Sequence, residues 1–375
     1  MMRGDGLHVA IDARLEYYTA GGIAQYTLGL ARALAAVAPN DRFTLLRSIK
    51  QREPLPRAGN LRSAPLLTPP HHRLEQLVLP LEIARVRPDV LHSPDFIPPF
   101  RRMCASVITV HDVGFLRFPE TLTPESRRYY GQVARAVRSA ERTIAVSHAT
   151  ARDLIELLDA PPERLSVVHN GIDAAFRPVT DVKALARMRG RFGLDRPYVA
   201  FLGTLEPRKN LPTLLRAFAI LRERHDVLLA LIGRRGWLYG PIFESIETLG
   251  LAESVRVIED AARSDLPALL SGAVAFAFPS LYEGFGLPPL EAMACGTPVI
   301  VADTSSLPEV VGDAALLHAP TNHEGLAHAL GRLLDDELLR AELSRRGMEH
   351  ARHFTWEVAA KATLRVYREA AGRPD

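Results

Sequence analysis

The chain has 375 residues, of which 47% are hydrophobic and 24% charged, and its formal net charge is +3. This length suits two domains of roughly 180 residues, each with a core of its own. The small net charge argues against nucleic acid as a partner. The N-terminus is short and polar, and no apolar run approaches the ~18 residues that span a bilayer. We therefore expect a cytoplasmic protein.

Short apolar runs alternate with amphipathic helical stretches along the first half of the chain, which is typical of βαβ units and a parallel sheet. Apolar residues at helical spacing predict a helix from about Ile23 to Val37. The stretch from Gln51 to Pro70 is rich in Pro and Arg and is predicted to be a surface loop. The predicted strands comprise residues 8–13, 43–47, 89–92, 106–111, 142–147 and 165–168.

The same alternation restarts in the second half, after a polar segment with Pro178 and Asp181 that we interpret as a linker. The predicted strands comprise residues 198–203, 227–232, 255–258, 273–278 and 298–302, with helices between them. These patterns predict an α/β protein with two Rossmann-like, doubly wound parallel-sheet domains. We place the domains at residues 1–180 and 181–355, followed by a C-terminal helix at 356–375 that packs back on the first domain.

Several kinds of site are disfavoured because their motifs are missing from the sequence. Cys104 and Cys295 belong to no Cys/His cluster, so we expect reduced, buried thiols rather than a disulfide or a metal site. Without G-x-S-x-G or G-x-G-x-x-G, the usual hydrolase nucleophile and an ordinary dinucleotide site are both disfavoured. D-x-D, the usual acidic metal clamp for nucleotide sugars, is also absent. We therefore expect no metal site.

The strongest candidate site is the segment P-S-L-Y-E-G-F-G-L-P-P-L-E-A-M-A-C-G, which begins at Pro279. Glu283 lies in a loop directly after a predicted buried strand, and Glu291 falls in the first turn of the next helix. The glycines let backbone N–H groups approach a ligand, and the helix N-terminus favours a diphosphate. The two carboxylates could accept hydrogen bonds from sugar and ribose hydroxyls. In the alternative, the glycines only form a turn and Glu291 only complements the helix dipole.

A second candidate is the segment F-L-G-T-L-E-P-R-K-N-L-P, in which a predicted strand ends at Gly203. Arg208 and Lys209 lie in the loop after this strand, and Asn210 occupies the N-cap position of the next helix. Cations at the carboxyl end of a parallel strand suit a diphosphate. For an isolated Arg-Lys pair, a solvent-exposed position without function is the more common alternative.

Two weaker candidates lie in the first half of the chain. Gly21 and Gly22 follow the first strand and open the first helix, where a tight glycine loop could face a donor phosphate. His111 and Asp112 end a later strand, and polar residues at the carboxyl ends of strands are typical of α/β sites. For His111, a structural role with a backbone hydrogen-bond partner is an equally good interpretation.

Together these segments resemble glycosyltransferase family 4, a group of retaining enzymes with the GT-B architecture, in which two Rossmann-like domains face each other across a cleft. The resemblance covers nearly the whole chain and depends most on the E-x7-E spacing of Glu283 and Glu291. Other segments that match the family are G-G-I-A-Q-Y, T-V-H-D-V, A-V-S-H-A-T, V-H-N-G-I-D, G-T-L-E-P-R-K-N-L, S-S-L-P-E-V-V-G-D-A-A and F-T-W-E.

The resemblance implies a role for each candidate residue. Glu283 should bind hydroxyls of the donor sugar, and Glu291 should hold the ribose. Arg208 and Lys209 should neutralise the leaving diphosphate, while His111 should contact the sugar. Further donor-binding residues would be Gly22, Gly203, Thr204, Phe285, Gly286 and Leu287, the last three through their N–H groups.

The chain departs from the family at Thr204, where many relatives have an Arg, so the cationic role must be carried by Arg208 and Lys209. The E-P-R-K-N variant looks most like bacterial polysaccharide mannosyltransferases that use GDP-mannose. The resemblance implies metal-independent, retaining hexosyl transfer in cell-surface polysaccharide synthesis. It implies no cofactor, a nucleotide-diphosphate sugar as donor, and a glycan or lipid-diphosphate-linked acceptor. Fixed Arg and Lys charges and helix N-termini would stabilise the departing diphosphate.

The acceptor should be recognised by loops of the N-terminal domain. An Arg-bearing helix near residues 124–142 could face a lipid-diphosphate acceptor or the inner face of the membrane, while a solvated helix face is the more common alternative. Two other functions stay open for the whole protein. One is a nucleotide-sugar epimerase or a phosphorylase on the same fold, and the other is a non-catalytic nucleotide-sugar-binding protein.

Overall fold

The protein is seen in a computed structural model that describes residues 6–18, 21–54, 58–119 and 124–373. The strands are β1 His8–Asp12, β2 Arg42–Ser48, β3 Leu61–Leu66, β4 Val90–Ser93, β5 Ala105–Val110, β6 Arg142–Ala145, β7 Leu165–Val167, β8 Tyr198–Leu202, β9 Leu228–Ile232, β10 Val255–Ile258, β11 Ala275–Phe278, β12 Val299–Ala302 and β13 Leu316–His318. The α-helices are α1 Gly22–Val37, α2 Glu75–Val86, α3 Gly114–Arg117, α4 Pro124–Tyr130, α5 Val133–Ser139, α6 His148–Leu158, α7 Val182–Phe192, α8 Leu211–Arg222, α9 Gly240–Thr248, α10 Leu266–Ser271, α11 Leu287–Ala294, α12 Leu307–Val311, α13 His323–Asp335, α14 Glu337–Ala351 and α15 Trp356–Ala370. Within the described ranges, none of the helices combines the length and the apolar character that a membrane span requires.

The first of two compact units comprises Met1–Gly171 and Phe354–Asp375. Its strands are parallel and lie in the order β3-β2-β1-β4-β5-β6-β7. Apolar side chains of β1 and β5, such as Val9 and Val107, are buried together with Leu30 and Leu34 of α1. The amphipathic helix predicted near the N-terminus therefore covers the sheet with its apolar face.

The second unit comprises Ile172–His353, with parallel strands in the order β10-β9-β8-β11-β12-β13. Strands β8 and β9 read Y-V-A-F-L and L-L-A-L-I and are almost wholly buried, as expected where both faces of a parallel sheet are covered. Both units have the strand order of the doubly wound Rossmann fold. The predicted fold class of two Rossmann-like parallel-sheet domains is thus confirmed. Their topological switch points lie between β1 and β4 and between β8 and β11.

The prediction of a surface loop over Gln51–Pro70 was wrong for Leu61–Leu66, which forms the edge strand β3. Only the first and last residues of this strand are buried, so L-R-S-A-P-L gives little strand signal. Pro65 removes one backbone donor, which an edge strand tolerates. Residues 55–57 of the predicted loop lie outside the described residues.

The boundary between the units also differs from the sequence-based one at 180/181, because the first unit ends at Gly171. The polar segment interpreted as a linker belongs to the second unit. The Val179 N–H donates to the Ser271 hydroxyl at 3.0 Å. Asp181 caps α7 by accepting a hydrogen bond from the Lys183 N–H at 2.9 Å. The polar residues there cap a helix that the sequence analysis did not predict.

The Arg-bearing stretch near residues 124–142 is not one helix. Helices α4 and α5 are separate, and Arg142 opens strand β6 and pairs with Glu369 at 3.0 Å. The Arg135 guanidinium lies 3.9 Å from the centre of the Phe100 ring. These arginines therefore do not share a single basic helix face.

The C-terminal helix α15 is part of the first unit and packs on α1. The contact is close at Gly29, where an added Cβ would lie 2.5 Å from the Trp356 ring. Farther along α15, the Tyr367 hydroxyl is 2.7 Å from His92 Nδ1. Burial lowers the pKa of His92 to about 3, so this ring is neutral.

The two cysteines are free, as expected. Cys295 is buried, whereas Cys104 is only partly buried. Burial raises the pKa of the Cys104 thiol to about 11 and that of Cys295 to about 12. Both thiols are therefore poor nucleophiles.

Candidate donor site and first-unit polar cluster

The two strongest candidate segments meet at the switch point of the second sheet. Gly203 and Thr204 directly follow β8, and the Glu283 loop follows β11, the strand that pairs with β8. The Leu281 N–H donates to the Arg208 carbonyl at 2.9 Å, which joins the two loops. Ligands of open α/β sheets bind at this edge.

Glu283 is buried between the two cations of the other segment. Lys209 Nζ lies 2.5 Å from Glu283 Oε1, and Arg208 Nη1 lies 3.3 Å from Oε2. Arg208 also donates to the Tyr282 carbonyl at 3.0 Å and pairs with Glu206 at 3.0 Å. Lys209 is only 7% exposed. It is therefore not the solvent-exposed lysine of the alternative interpretation.

The Glu283 carboxyl is charged. Burial raises its pKa, but the neighbouring Lys209 and Arg208 outweigh burial and hold the pKa below its ordinary value. A buried carboxylate without such partners would take up a proton instead. Glu283 can consequently act only as a hydrogen-bond acceptor near neutral pH.

Two serines that the sequence analysis did not single out hold the Glu283 loop in place. The buried Ser306 hydroxyl lies 2.9 Å from the Glu283 carbonyl and 2.8 Å from the Phe285 carbonyl. The Glu283 N–H donates to Ser305 Oγ at 3.0 Å. The backbone is thus fixed on both sides of the Glu283 side chain. The serines are 22 and 23 residues away in sequence, and no local pattern links them to this loop.

Three backbone N–H groups lie near the start of α11. Pro288 and Pro289 follow Leu287 and have no N–H, so the N–H groups near the helix start are those of Phe285, Gly286 and Leu287. Gly286 has φ 103°, in the left-handed region that favours glycine. The resemblance named the same three residues as contacts of the donor phosphate.

A close backbone approach lies beside Gly203. An added Cβ on Gly233, at the end of β9, would lie 2.0 Å from the Gly203 carbonyl oxygen. An added Cβ on Gly236 would lie 2.6 Å from the Thr204 methyl group. The sequence analysis missed Gly233 and Gly236, although G-R-R-G directly follows a predicted strand. They let the two loops pack backbone to backbone.

The prediction that Glu291 falls in the first turn of its helix was wrong by one turn, because it is the fifth residue of α11. Arg263 Nη2 lies 3.6 Å from Glu291 Oε1 and 3.6 Å from Asp173 Oδ2. Burial raises the pKa of Glu291 to about 7, with Arg263 lowering it and Asp173 raising it. This carboxyl therefore changes charge near neutral pH.

Asn210 precedes α8 as predicted, but its side chain does not cap the helix. Its backbone is left-handed, with φ 54°, unlike the extended backbone of an N-cap residue. The side-chain amide donates to the carbonyls of Pro279 at 3.1 Å and Pro320 at 2.8 Å. Asn210 thus ties the loop after β8 to the chain that leaves β11.

Gly22 and His111 belong to the first unit, whereas the other predicted donor residues belong to the second. An added Cβ on Gly22 would meet no atom within 4 Å among the described residues. Burial lowers the pKa of His111, which packs edge-on against the Tyr26 ring at 4.7 Å. Its buried Nε2 has no hydrogen-bond partner in the described part of the chain. The roles of Gly22 and His111 toward a donor stay predictions.

The switch point of the first sheet carries a group of polar residues that the sequence analysis missed. We call Arg14, His71, Glu75, Asp95 and Tyr129 the polar cluster. Arg14 pairs with Glu75 at 2.5 Å. His71 Nε2 and the Tyr129 hydroxyl lie 2.5 and 3.0 Å from Asp95 Oδ2. Burial lowers the pKa of His71, but Asp95 outweighs burial, and the pKa lies above its ordinary value. Asp95 follows β4, the same kind of position that drew attention to His111.

Known protein families and relatives match nearly the whole length of the chain. The model for Glycosyltransferase Family 4 matches residues 20–176, and the model for Glycosyl transferases group 1 matches residues 183–350. The chain is 29% identical to an O-antigen chain mannosyltransferase B of Escherichia coli, over 94% of this chain and 97% of the relative. It is 31% identical to a D-inositol 3-phosphate glycosyltransferase of Corynebacterium aurimucosum, over 94% and 91%.

Other relatives and solved structures extend this picture. The chain spans 52–60% of the length of three further curated relatives, which are 36–39% identical. Among solved structures, a sucrose-phosphate synthase from Thermosynechococcus elongatus has a TM-score of 0.78 at 22% identity. That comparison covers 96% of this chain and 98% of the synthase chain, and it concerns the fold alone.

Proposed function

The chain belongs to glycosyltransferase family 4, and we propose that it transfers mannose from GDP-mannose in the synthesis of a cell-surface polysaccharide. The acceptor in this proposal is a glycan or a lipid-diphosphate-linked glycan. The observation that carries it is the buried Glu283 carboxylate between Lys209 and Arg208, at the switch point of the second sheet. Charged groups held this way suit a ligand with both hydroxyls and a diphosphate.

The choice of mannose and GDP rests on the relatives and on the sequence. The relative in Escherichia coli is named a mannosyltransferase, and it matches along almost its whole length. The E-P-R-K-N segment, which contains Arg208 and Lys209, also looks most like mannosyltransferases that use GDP-mannose. The relative in Corynebacterium aurimucosum is named for a different acceptor, D-inositol 3-phosphate. Sequence similarity alone therefore does not identify the acceptor of this chain.

The second unit is proposed to bind the donor. Glu283 accepts hydrogen bonds from hydroxyls of the sugar, and Glu291 accepts them from the ribose. The diphosphate lies at the start of α11, near the N–H groups of Phe285, Gly286 and Leu287. Gly203 and Thr204 line the same edge.

The costly step is departure of the nucleoside diphosphate from the anomeric carbon. As that bond breaks, negative charge grows on the diphosphate, and Lys209 and Arg208 stabilise it. Both side chains are already fixed by Glu283 and by the Tyr282 carbonyl, so little reorganisation is needed. These two cations take the role that a metal ion has in other transferases, and no cofactor takes part.

Retention of configuration requires the acceptor to approach from the face that the diphosphate leaves. The acceptor oxygen then bonds to the anomeric carbon, and a diphosphate oxygen takes the proton from the acceptor. We assign the acceptor to the polar cluster of the first unit. Asp95 and His71 can bond to hydroxyls there, and Tyr129 offers an aromatic ring. The reaction is placed on the cytoplasmic side of the cell membrane.

The variant Glu283→Gln tests the proposal. It removes the negative charge while keeping the volume and one oxygen for Lys209. We expect kcat to fall at least ~100-fold. Because the amide carries no charge, Lys209 also loses its counter-ion, so denaturant unfolding is measured beside kcat. Glu283→Ala is a poorer test, because it leaves the buried Lys209 ammonium with less compensation, at a cost of ~3–5 kcal/mol. The matched control is Glu342→Gln, which alters an exposed glutamate of α14 that pairs with Arg345. Its kcat should equal that of the wild type.

The assay follows nucleoside diphosphate release and glycosylated product by mass spectrometry, with GDP-mannose and UDP-glucose compared in excess EDTA. Near-normal turnover of Glu283→Gln would remove Glu283 from the site. Transfer from UDP-glucose alone would overturn the choice of donor. Activity that is lost in EDTA and restored by Mn²⁺ would overturn the metal-independent step.

A further inference from the structure

Helix α2 has two apolar faces, and the fold covers only one of them. Leu79 and Ile83 face inward and are buried in a core cluster of the first unit. Leu77 and Leu81 lie elsewhere on the same helix and are 64% and 67% exposed. A helix on the surface of a soluble domain normally presents polar residues to water. The outer face of α2 therefore suits a partner that is itself apolar.

The exposed leucines belong to a larger apolar patch. We define it as Leu67, Leu74, Leu77, Val78, Leu81 and Met103, whose exposed fractions run from 37% to 96%. The residues of α2 and Leu74 before it follow helical spacing, so they form one stripe. The Leu67 N–H donates to Glu82 of α2 at 2.7 Å, which brings Leu67 to this helix. Leu77, Leu81 and Met103 line one open hollow of about 1340 Å³.

Most of the exposed charge beside the apolar patch is positive. Between residues 67 and 105, every exposed charged side chain is an arginine, and the four are Arg73, Arg85, Arg87 and Arg101. The two carboxylates of α2 are buried instead. Glu75 pairs with Arg14, and Glu82 accepts hydrogen bonds from the N–H groups of Leu67 and Thr68. Arginines thus outnumber carboxylates beside the apolar stripe, although the partly buried Asp89 lines the same hollow and Glu141 pairs with Arg102 nearby.

We propose that the apolar patch and its four arginines form a docking surface for an anionic lipid bilayer. The leucines and Met103 insert at the boundary between headgroups and acyl chains, and the arginines bind lipid phosphates. A second copy of the chain fits this face less well, because two-fold symmetry would bring like-charged arginines together. The residues of this surface differ from the arginines of α4 and α5, from which the sequence analysis considered a membrane contact, although Arg135 of α5 packs on Phe100, which lines the same hollow.

Helix α2 also lies next to the polar cluster. The helix begins at Glu75, a member of the polar cluster, and His71 lies just before it. A docked α2 would hold the polar cluster near the lipid headgroups, where a lipid-linked acceptor is found. This consequence rests on the proposed function, whereas the docking itself does not.

The test uses the full chain and sedimentation with vesicles of phosphatidylcholine, with and without phosphatidylglycerol. The wild type should bind the anionic vesicles and lose this binding at high salt. The double variant Leu77→Asp with Leu81→Asp should bind at least ~10-fold more weakly. Arg85→Glu with Arg101→Glu should lose the preference for anionic vesicles. Leu338→Asp, at an 84% exposed leucine of α14, is the matched control and should bind like the wild type.

Thermal unfolding of each variant establishes that the fold is kept, since all the altered side chains are exposed. Absence of wild-type binding to anionic vesicles, or equal binding by the Leu77 and Leu81 variant, would overturn the proposal. A dimer in solution that this variant abolishes, without any vesicle binding, would assign the face to a second copy and overturn it too. Transfer to a water-soluble acceptor should be normal in the docking variants. If docking is intact but transfer is absent, the proposed function fails and the docking surface stands.

Discussion

Lys209 and Glu283 are 74 residues apart in the chain, yet the burial of each depends on the other. An unpaired ammonium or carboxylate in this position would cost several kcal/mol, whereas the pair with Arg208 nearby is tolerated. Alanine at either position therefore measures folding and catalysis together. Glutamine for Glu283 keeps the volume and one oxygen but not the charge, so its effects on stability and on kcat are measured side by side.

Glu291 gives a prediction about pH. Its pKa is about 7 in the folded chain, against an ordinary value of 4.5. As pH rises between these values, the unfolded chain loses the proton first, so the folded state binds more protons and its stability falls. Below pH 4.5 the penalty is absent, and above pH 7 it is complete, at most about 3 kcal/mol. Glu291→Gln should therefore gain stability relative to the wild type as pH rises through this window.

Chemical denaturation of both proteins at a series of pH values measures the difference between them. Other titrating groups are common to both chains and cancel. If the free energies of unfolding of the two proteins differ by the same amount at pH 4.5 and at pH 8, folding does not raise the pKa of Glu291. Titration of GDP over the same range is a second readout, because a ribose hydroxyl donates to the carboxylate and affinity should rise with pH.

At the scale of elements, the loop between β11 and α11 depends on a brace from outside it. Ser306→Ala removes the hydroxyl that contacts the carbonyls of Glu283 and Phe285. The two buried carbonyls share the one hydroxyl hydrogen, and without it neither has this donor, so we expect a loss of ~1–3 kcal/mol in the free energy of unfolding. Because the freed loop carries Glu283, we also expect kcat to fall at least ~10-fold. Denaturant unfolding and steady-state kinetics measure the two effects.

The matched control for Ser306→Ala lies at the other end of α11. The Ser344 hydroxyl donates to the Gly296 carbonyl at 2.6 Å, so Ser344→Ala removes a similar bond away from the Glu283 loop. It should lower stability by a similar amount and leave kcat unchanged. If both variants lower kcat equally, the effect belongs to α11 as a whole and the specific role of Ser306 is lost.

Elements with strong local signals were predictable from the sequence, and elements that depend on tertiary contacts were not. Strands β8 and β9 are continuous apolar runs, and a buried parallel sheet needs such runs. Strand β3 was missed because an edge strand buries little and tolerates Pro65. The predicted helix near residues 124–142 failed because it is split into α4 and α5 and Arg142 belongs to β6. Secondary structure thus followed local pattern wherever burial was complete.

The residues of the candidate site also fall into those with a local sequence signal and those without one. Glu283, Arg208 and Lys209 were found because each lies beside a strand end in a local motif. Ser306 lies in a segment that was quoted as a match to the family, but it was given no role, and Arg263 was missed. The contacts of both follow from how distant loops meet across the sheet. The polar cluster was missed for the same reason, since its members come from four separate stretches of chain. Strand order, which brings such stretches together, cannot be derived from residue spacing alone.

At the scale of the whole molecule, the chain leaves its first unit and returns to it. The second unit lies between Gly171 and Phe354 in sequence, and α15 then completes the core of the first. Gly171 marks the departure, because an added Cβ there would lie 2.3 Å from the Trp356 backbone nitrogen. The first unit consequently cannot finish folding until the second has been synthesised.

This topology predicts where strain from a single added methyl group will appear. Gly29→Ala on α1 places a Cβ about 2.5 Å from the Trp356 ring, so either the ring shifts or α1 and α15 move apart. Overpacking of this kind costs ~1–3 kcal/mol, against ~1 kcal/mol gained from the better helix propensity of alanine. Gly22→Ala on the same helix, with no described atom within 4 Å of the new Cβ, is the matched control for stability.

Hydrogen exchange should accelerate in α1 and α15 of Gly29→Ala, while the second unit keeps the wild-type rates, because each unit has its own core. Acceleration spread over both units would mean that they unfold as one cooperative body, and unchanged exchange in α15 would mean that Trp356 moves aside at no cost.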